Sequence, residues 1–283
     1  MKIGIIGQGY VGKAVKTVFA EKFPNILAYD KYVNDLSDVK NERELSLSSE
    51  IIFLCLPTPM KENGECDTSI IEDELFKIND ISSTENEKIV VIKSTVTPGS
   101  CEKFSKHNKN IKIIFNPEFL TELNFIEDFR NQNRIIIGGD SEDACAKVSN
   151  LYKDIFPKVP IIFTSSKTAE MVKYLTNTFL ASKVAYANQL KAICDVAEIN
   201  FDEVVELSTL DERLGKSHWS VPGPDGEPGF GGSCFPKDLN ALIYFAKVNG
   251  VNYSLLNEIW QYNLKIRSDR NWKNKREWQD TED

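Results

Sequence analysis

Residues 2–12 constrain the fold of this chain more than any other stretch. An apolar, β-branched run, 2–6, leads directly into Gly7-Gln8-Gly9-Tyr10-Val11-Gly12, and an amphipathic segment, 13–23, follows. Strand, glycine turn and helix in that order open a βαβ unit. The first glycine permits the tight turn, the second lets a bound group approach the backbone, and the third lets helix pack on strand. A second strand-like run, 26–29, ends in Asp30, 18 residues after Gly12, where an acid can bind a ribose hydroxyl. The unit predicts a dinucleotide site built from Gly7, Gly9, Tyr10, Val11, Gly12, Asp30 and Lys31. The acid favours NAD over NADP, and the adjacent lysine works against that preference.

Strand-like runs recur at 51–56, 89–92, 111–115, 135–137 and 160–163, with helical patterns such as 69–78 and 142–155 between them. This alternation predicts an α/β, Rossmann-like, doubly wound, mostly parallel sheet, on which ligands bind at the carboxyl ends of the strands. Three polar stretches fall at such ends: Pro57-Thr58-Pro59, residues 93–99 and residues 116–122. From 166 to 196 the pattern becomes one long helical run without proline or glycine, its apolar residues (Met171, Leu175, Phe179, Val184) at helical spacing. Lys173 and Asn177, four apart, share a face of it. Asn200 and Glu203 are placed to cap a short helix over 201–208, and further helices are expected over 236–248 and from 254 to about 278. The expected division is a nucleotide-binding domain, 1–165, followed by an all-helical domain, 166–283.

The second informative stretch is Gly229-Phe230-Gly231-Gly232-Ser233-Cys234-Phe235-Pro236-Lys237-Asp238. Cys234 stands at or just before a helix N-terminus, where unpaired amides favour negative charge, and Lys237 adds a cation one turn on. Both raise the thiolate fraction and make this cysteine a candidate nucleophile. Proline suits the first helical turn because its missing N–H is not needed there. With two histidines in the chain, His107 in a polar run and His218 in the loop before the cysteine, both expected at the surface, any chemistry rests on Cys, Lys and carboxylates.

Composition excludes several classes of function. The net charge of −8 argues against nucleic acid or an anionic membrane as partner. No apolar run has the roughly 18 residues of a membrane span, and the N-terminus enters a strand without signal-peptide architecture. Six cysteines without paired spacing predict reduced thiols, a cytoplasmic location and no metal site.

The motifs Gly7–Gly12, Pro57–Pro59, Ser94–Val96, Asn116–Glu122, Glu170–Asn177, Asp211–Gly215 and Gly229–Asp238, in this order along nearly the whole chain, resemble those of the UDP-glucose/GDP-mannose dehydrogenase family. The resemblance implies an NAD-dependent, four-electron oxidation of a nucleotide sugar, UDP-glucose to UDP-glucuronate being the expected case, through a thiohemiacetal and a thioester on Cys234. It implies that Lys173 and Asn177 stabilise the oxyanion, that Asp238 positions water, that Glu118 assists thioester hydrolysis, and that Thr95 lies near the nicotinamide. It further implies NAD contacts from Thr58, Thr95, Glu122 and Lys237. Substrate contacts are implied from Glu118, Phe119, Leu120, Glu122, Lys173, Asn177, Gly231 and Arg213, the last reaching a neighbouring subunit's substrate across a homodimer formed on the long helix. Relatives continue into a further domain that holds the nucleotide base, and a separate chain supplying that UDP-binding domain is an expected alternative to activity of this chain alone.

Two other readings stay open on the residues. In a two-electron, NAD-dependent hydroxyacid dehydrogenase the lysine and asparagine would serve and Cys234 would be superfluous. A non-catalytic NAD-binding protein would need none of the set Thr95, Glu118, Lys173, Asn177, Cys234 and Asp238. The aromatic series Trp260, Tyr262, Trp272 and Trp278 is expected to be core.

Overall fold

The computed structural model describes residues 2–83 and 85–273. The chain divides into two compact units, residues 1–58 with 67–173, and residues 59–66 with 174–283.

The first unit is a sheet layered between helices. In chain order it comprises β1 (Ile3–Ile6), α1 (Tyr10–Ala20), β2 (Leu27–Tyr29), α2 (Glu42–Ser48), β3 (Ile51–Leu54), α3 (Ser69–Asp80), β4 (Lys88–Ile92), α4 (Ser100–His107), β5 (Ile111–Phe115), α5 (Phe125–Arg130), β6 (Ile135–Gly138), α6 (Glu142–Ile155) and β7 (Ile161–Thr164). The strands run in the order β2-β1-β3-β4-β5-β6-β7. The reversal of direction between β1–β2 and β1–β3 makes the switch point at which open α/β sheets bind ligands. All pairs are parallel except β5–β6, which meet antiparallel at Phe115 and Gly138. The six-residue α5 spans only about 9 Å, short of the roughly 17 Å of a five-residue strand, so the chain enters β6 from the end at which it left β5.

β1, β3 and β4 are buried along their whole length, the signature of strands covered on both faces. Two apolar clusters cover them. One gathers Val15, Val18 and Phe19 of α1 with Val148, Leu151 and Tyr152 of α6; the other gathers Leu45 of α2 with Ile71, Leu75 and Ile78 of α3 and Phe104 of α4. The short helices α2, α4 and α5 fall in stretches where the sequence showed no helical period; His107 is the exposed last residue of α4 rather than part of a loop.

A continuous helix, α7 (Ser166–Val196), gives its residues up to Lys173 to the first unit and the remainder to the second. The second unit adds α8 (Phe201–Ser208), α9 (Cys234–Val248) and α10 (Ser254–Ile266). Asn200 caps α8 as its sequence predicts, its side chain accepting from the amides of Asp202 and Glu203. The last helix is shorter than expected: α10 stops at Ile266 and a 3-10 turn, Asn271–Lys273, follows. Trp272 is buried, and Trp260 and Tyr262 pack against the cluster of Ala181, Ala185, Phe230 and Leu239, so these three are core; Trp278 lies outside the described residues. Among the described residues no helix is long and apolar enough to cross a membrane.

Candidate active site

The first unit holds the dinucleotide cradle. Gly7, at φ +92°, begins the turn, and its amide donates to the Tyr29 carbonyl (2.9 Å). A side chain at Gly12 would bring Cβ to 1.9 Å from the Gly7 carbonyl oxygen, and one at Gly7 would meet the Cys55 carbonyl at 2.4 Å. Gly9 differs, since a Cβ there would meet nothing within 4 Å. Two of the glycines are therefore required by packing, whereas the third leaves open space at the N-cap of α1, where amides favour a phosphate. Asp30 closes the cradle: one carboxylate oxygen accepts from the Gln8 amide (2.7 Å) and the other from the Tyr32 and Val33 amides (2.9 and 3.1 Å). Tyr10 is half exposed with its ring 5.3 Å from Phe125, Val11 is half-buried, and exposed Lys31 lies over Tyr32. These residues fit a dinucleotide: an open glycine, free approach to a helix N-terminus, and an oriented carboxylate at the end of β2. Thr58 and Thr95 are buried in the loops after β3 and β4.

The same unit contains a buried ion pair. Lys173 donates to the Glu118 carboxylate (2.9 Å) and to its carbonyl (2.7 Å), and the other carboxylate oxygen accepts from the Leu120 amide (2.7 Å). Burial alone would push the Glu118 pKa up; the Lys173 charge, the Leu120 amide and the more distant Lys93 outweigh it and hold the carboxyl below its ordinary value. Phe119 lies under the Arg134 guanidinium (4.3 Å) and near the Lys173 ammonium (5.6 Å). Leu120 packs on the core edge and Glu122 is half-buried.

Lys93 and Asn116 were visible in the sequence only as members of polar turns. Lys93 is buried and donates to Asn116 Oδ1 (2.9 Å), which also accepts from the Tyr152 hydroxyl (2.5 Å), while Asn116 Nδ2 donates to the Ile136 carbonyl (2.7 Å). Desolvation lowers the Lys93 pKa to about 8, and the neighbouring Cys55 thiol is pushed up to about 12, again chiefly by burial. A lysine directly after the apolar run 89–92 was the available signal, since a lysine there is buried only with a partner.

The second unit holds the cysteine. Cys234 is the first residue of α9, half-buried, after an N-cap, Ser233, whose side chain makes no capping bond. One turn on, Asp238 is 1% exposed and accepts from Asn177 Nδ2 (2.6 Å) and from Lys237 Nζ (2.7 Å). Burial opposes the charge of Lys237, yet Asp238, with Cys66 and Cys234 nearby, raises its pKa above the ordinary lysine value. Asn177 and Lys173 are both buried, so the face they share is not the solvated one. Arg213 is different: it is 88% exposed and forked onto Asp211. His218 departs from expectation, being half-buried at φ +67° with its ring 5.7 Å from Phe235 and Nδ1 buried without a partner; burial lowers its pKa.

Fold and cradle define a protein of the dinucleotide-binding, Rossmann-like class. The model of the UDP-glucose/GDP-mannose dehydrogenase family NAD binding domain matches residues 37–156, and that of the family's central domain matches residues 167–265. The putative UDP-glucose 6-dehydrogenase YtcA of Bacillus subtilis is 32% identical over 297 residues, covering 93% of this chain and 67% of its own. A UDP-glucose dehydrogenase from Pyrobaculum islandicum superposes with a TM-score of 0.82 at 26% identity, covering 93% of this chain and 68% of its own. The chain belongs to the UDP-glucose/GDP-mannose dehydrogenase family and carries its NAD-binding domain. It spans about two thirds of the length of these relatives. A 3-hydroxyisobutyrate dehydrogenase from Mycobacterium tuberculosis shares the fold (TM-score 0.75) at 13% identity, with 93% of this chain and 92% of its own covered.

Proposed function

We propose that this chain oxidises the primary alcohol of a nucleotide sugar to the carboxylate, with UDP-glucose as the substrate, through a thioester on Cys234. The balanced reaction is RCH2OH + 2 NAD⁺ + H2O → RCOO⁻ + 2 NADH + 3 H⁺. The observation that carries the reading is Cys234 at the start of α9, one turn from the buried Asn177–Asp238–Lys237 network. NAD, when bound, accepts a hydride at each of the two oxidations.

The chain's own residues do the rest. The Cys234 thiolate forms a C–S bond to the intermediate aldehyde, and this covalent hold keeps the carbon in place until it is oxidised to the thioester. Lys173 and Asn177 supply N–H donors to the developing oxyanion. Asp238 orients water, and Glu118, kept ionised by Lys173, takes a proton during hydrolysis. Thr95 in this reading serves near the nicotinamide, Thr58, Glu122 and Lys237 contact the cofactor, and Phe119, Leu120 and Gly231 contact the sugar nucleotide. In this reading residues 1–165 are the cofactor domain and 166–283 the helical domain. The test is NADH formation with NAD and a panel of UDP- and GDP-sugars, counting acid per NADH. Two NADH per acid with UDP-glucose is expected; no NADH from any sugar by the chain alone, and none on adding a chain that supplies a UDP-binding domain, overturns the reading.

The same proposal includes a homodimer on α7. Leu175, Phe179, Tyr186 and Ile193, spaced 4, 7 and 7 residues apart, are each more than half exposed, an apolar stripe longer than a monomer ordinarily leaves in water. Arg213, exposed and pre-oriented by Asp211, is positioned by this reading to serve the neighbouring subunit. Light scattering at micromolar concentration should give about twice the 32.1 kDa of one chain, and Phe179→Asp should give the monomer. A wild-type mass of one chain would refute the dimer.

A further inference from the structure

The loop that presents Cys234 is held by three asparagine side chains from three different parts of the second unit. Asn188 of α7 accepts from the Gly229 amide (3.1 Å), Asn263 of α10 accepts from the Phe230 amide (2.8 Å) and donates to its carbonyl (3.0 Å), and Asn271 accepts from the Gly232 amide (3.1 Å). Behind them stands a fully buried Arg267. It pairs with Asp225 (2.5 Å) and donates to the Pro228 carbonyl (3.3 Å), both in the loop, and to the Asp269 carbonyl (2.9 Å) in its own segment. The fit is close: a Cβ on Gly231 would lie 2.5 Å from the Arg267 guanidinium and 2.8 Å from Asn271 Oδ1.

An apolar path runs parallel to this polar one. Trp272, 1% exposed, packs on Trp260 (5.6 Å between ring centroids), Trp260 on Phe230 (6.3 Å) and Phe230 on Phe235 (6.4 Å), the residue after Cys234. Two independent sets of contacts therefore tie the segment 267–272 to the residues on either side of the thiol. Gly229 and Gly232 sit at φ +70° and +76°, a conformation that a glycine loop leaves readily unless its amides are engaged.

We propose that Asn271, braced by Arg267 and Trp272, is a positioning residue for Cys234, and that it sets the reactivity of the thiol by fixing the turn from which α9 starts. The α9 N-terminus favours a thiolate only while its first turn is formed beside the sulfur. Releasing Gly232 lets that turn fray and weakens the field. The significance for catalysis rests on the function proposed above, but the effect on the thiol does not.

The test uses the full chain without substrate. The rate at which iodoacetamide alkylates Cys234 is followed against pH, with peptide mass spectrometry separating this cysteine from the others. Asn271→Ala should move the midpoint of the profile to higher pH by about half a unit or more. Phe201→Leu, a core change in the α7–α8 cluster that lowers stability without removing any of the asparagine or Arg267 contacts to residues 225–232, should leave the midpoint in place. Should the Asn271 variant not fold, Asp225→Asn, which loosens the same loop from its exposed side, carries the same expectation. An Asn271→Ala profile that overlays the wild type, or an equal shift in Phe201→Leu, overturns the proposal. A shift in Asn271→Ala from a protein that makes no NADH from any sugar supports the positioning role and counts against the proposed reaction alone.

Discussion

Cys234→Ser is expected to stop acid formation while leaving the first oxidation in place. A hydroxyl has nearly the shape of a thiol but is a far weaker nucleophile at neutral pH, and α9 needs no more from its first side chain than that it be small. The variant should fold with a stability within about 1 kcal/mol of the wild type, as for other substitutions outside a packed core. It should bind NAD normally, because the cradle lies in the other unit and shares no residue with the loop. With UDP-glucose it should release about one NADH per site and then stall, and steady acid production should fall by roughly three orders of magnitude, the scale on which a lost covalent nucleophile is felt. The measurement is the NADH-to-acid ratio in single-turnover and steady-state modes. It also separates the readings left open by the residues. A two-electron hydroxyacid dehydrogenase would be indifferent to the change, and a Cys234→Ser protein that still makes two NADH per acid would end the thioester mechanism.

How far the sequence could be read depended on how local each determinant is. All seven strands of the sheet lie where apolar runs place them; β1, β3, β4 and β6 are buried along their whole length and have no polar alternation to disguise them, while the partly exposed β2 and β7 are carried by short apolar runs of their own. α6, α7 and α8 end where periodicity and caps put them. α2, α4 and α5, of seven, eight and six residues, are too short to show a period, and α10 ends well before the expected residue 278 although no proline or glycine follows Ile266. What ends it is tertiary: Arg267 turns inward to the loop at 225–228 and Trp272 to the core. The anchoring of Cys234 was illegible for the same reason. Asn188 and Gly229, Asn263 and Phe230, and Asn271 and Gly232 are separated by 41, 33 and 39 residues, and no spacing rule connects them. His218, expected at the surface, is half-buried because its ring lies beside Phe235, a contact that depends on where the loop returns. Gly9 shows the opposite case: nothing in the protein lies within 4 Å of where its side chain would stand, so the glycine is legible from its motif and not from packing.

Lys173→Met should cost both activity and stability, with the stability loss depending on pH in a direction that the geometry dictates. The ammonium is 3% exposed and the Glu118 carboxylate 8% exposed at side-chain level, so neither charge is relieved by water when its partner is removed. Breaking such a pair from one side typically costs about 3–5 kcal/mol, because a buried charge is left behind. The sign follows from Glu118. Its folded-state pKa lies below the ordinary carboxylate value, so its contribution is present above the unfolded pKa, near 4.5, and is lost as pH falls through the depressed folded value. In the methionine variant burial acts with little opposition, Lys93 being the more distant cation. Glu118 then takes up a proton on folding, and the penalty against the wild type shrinks as pH falls below about 5. Urea melts should therefore show a gap of several kcal/mol at pH 7 that narrows at pH 4, and Lys173→Met/Glu118→Gln should recover at least half of it by replacing the stranded carboxylate with a neutral amide. Activity should not return in the double variant, since the proposed oxyanion donor is still missing and its loss alone is worth about 10²–10³ in kcat. A loss at pH 7 below about 1 kcal/mol, or one unchanged between pH 7 and pH 4, would mean that the pair is not the buried charge couple its geometry describes.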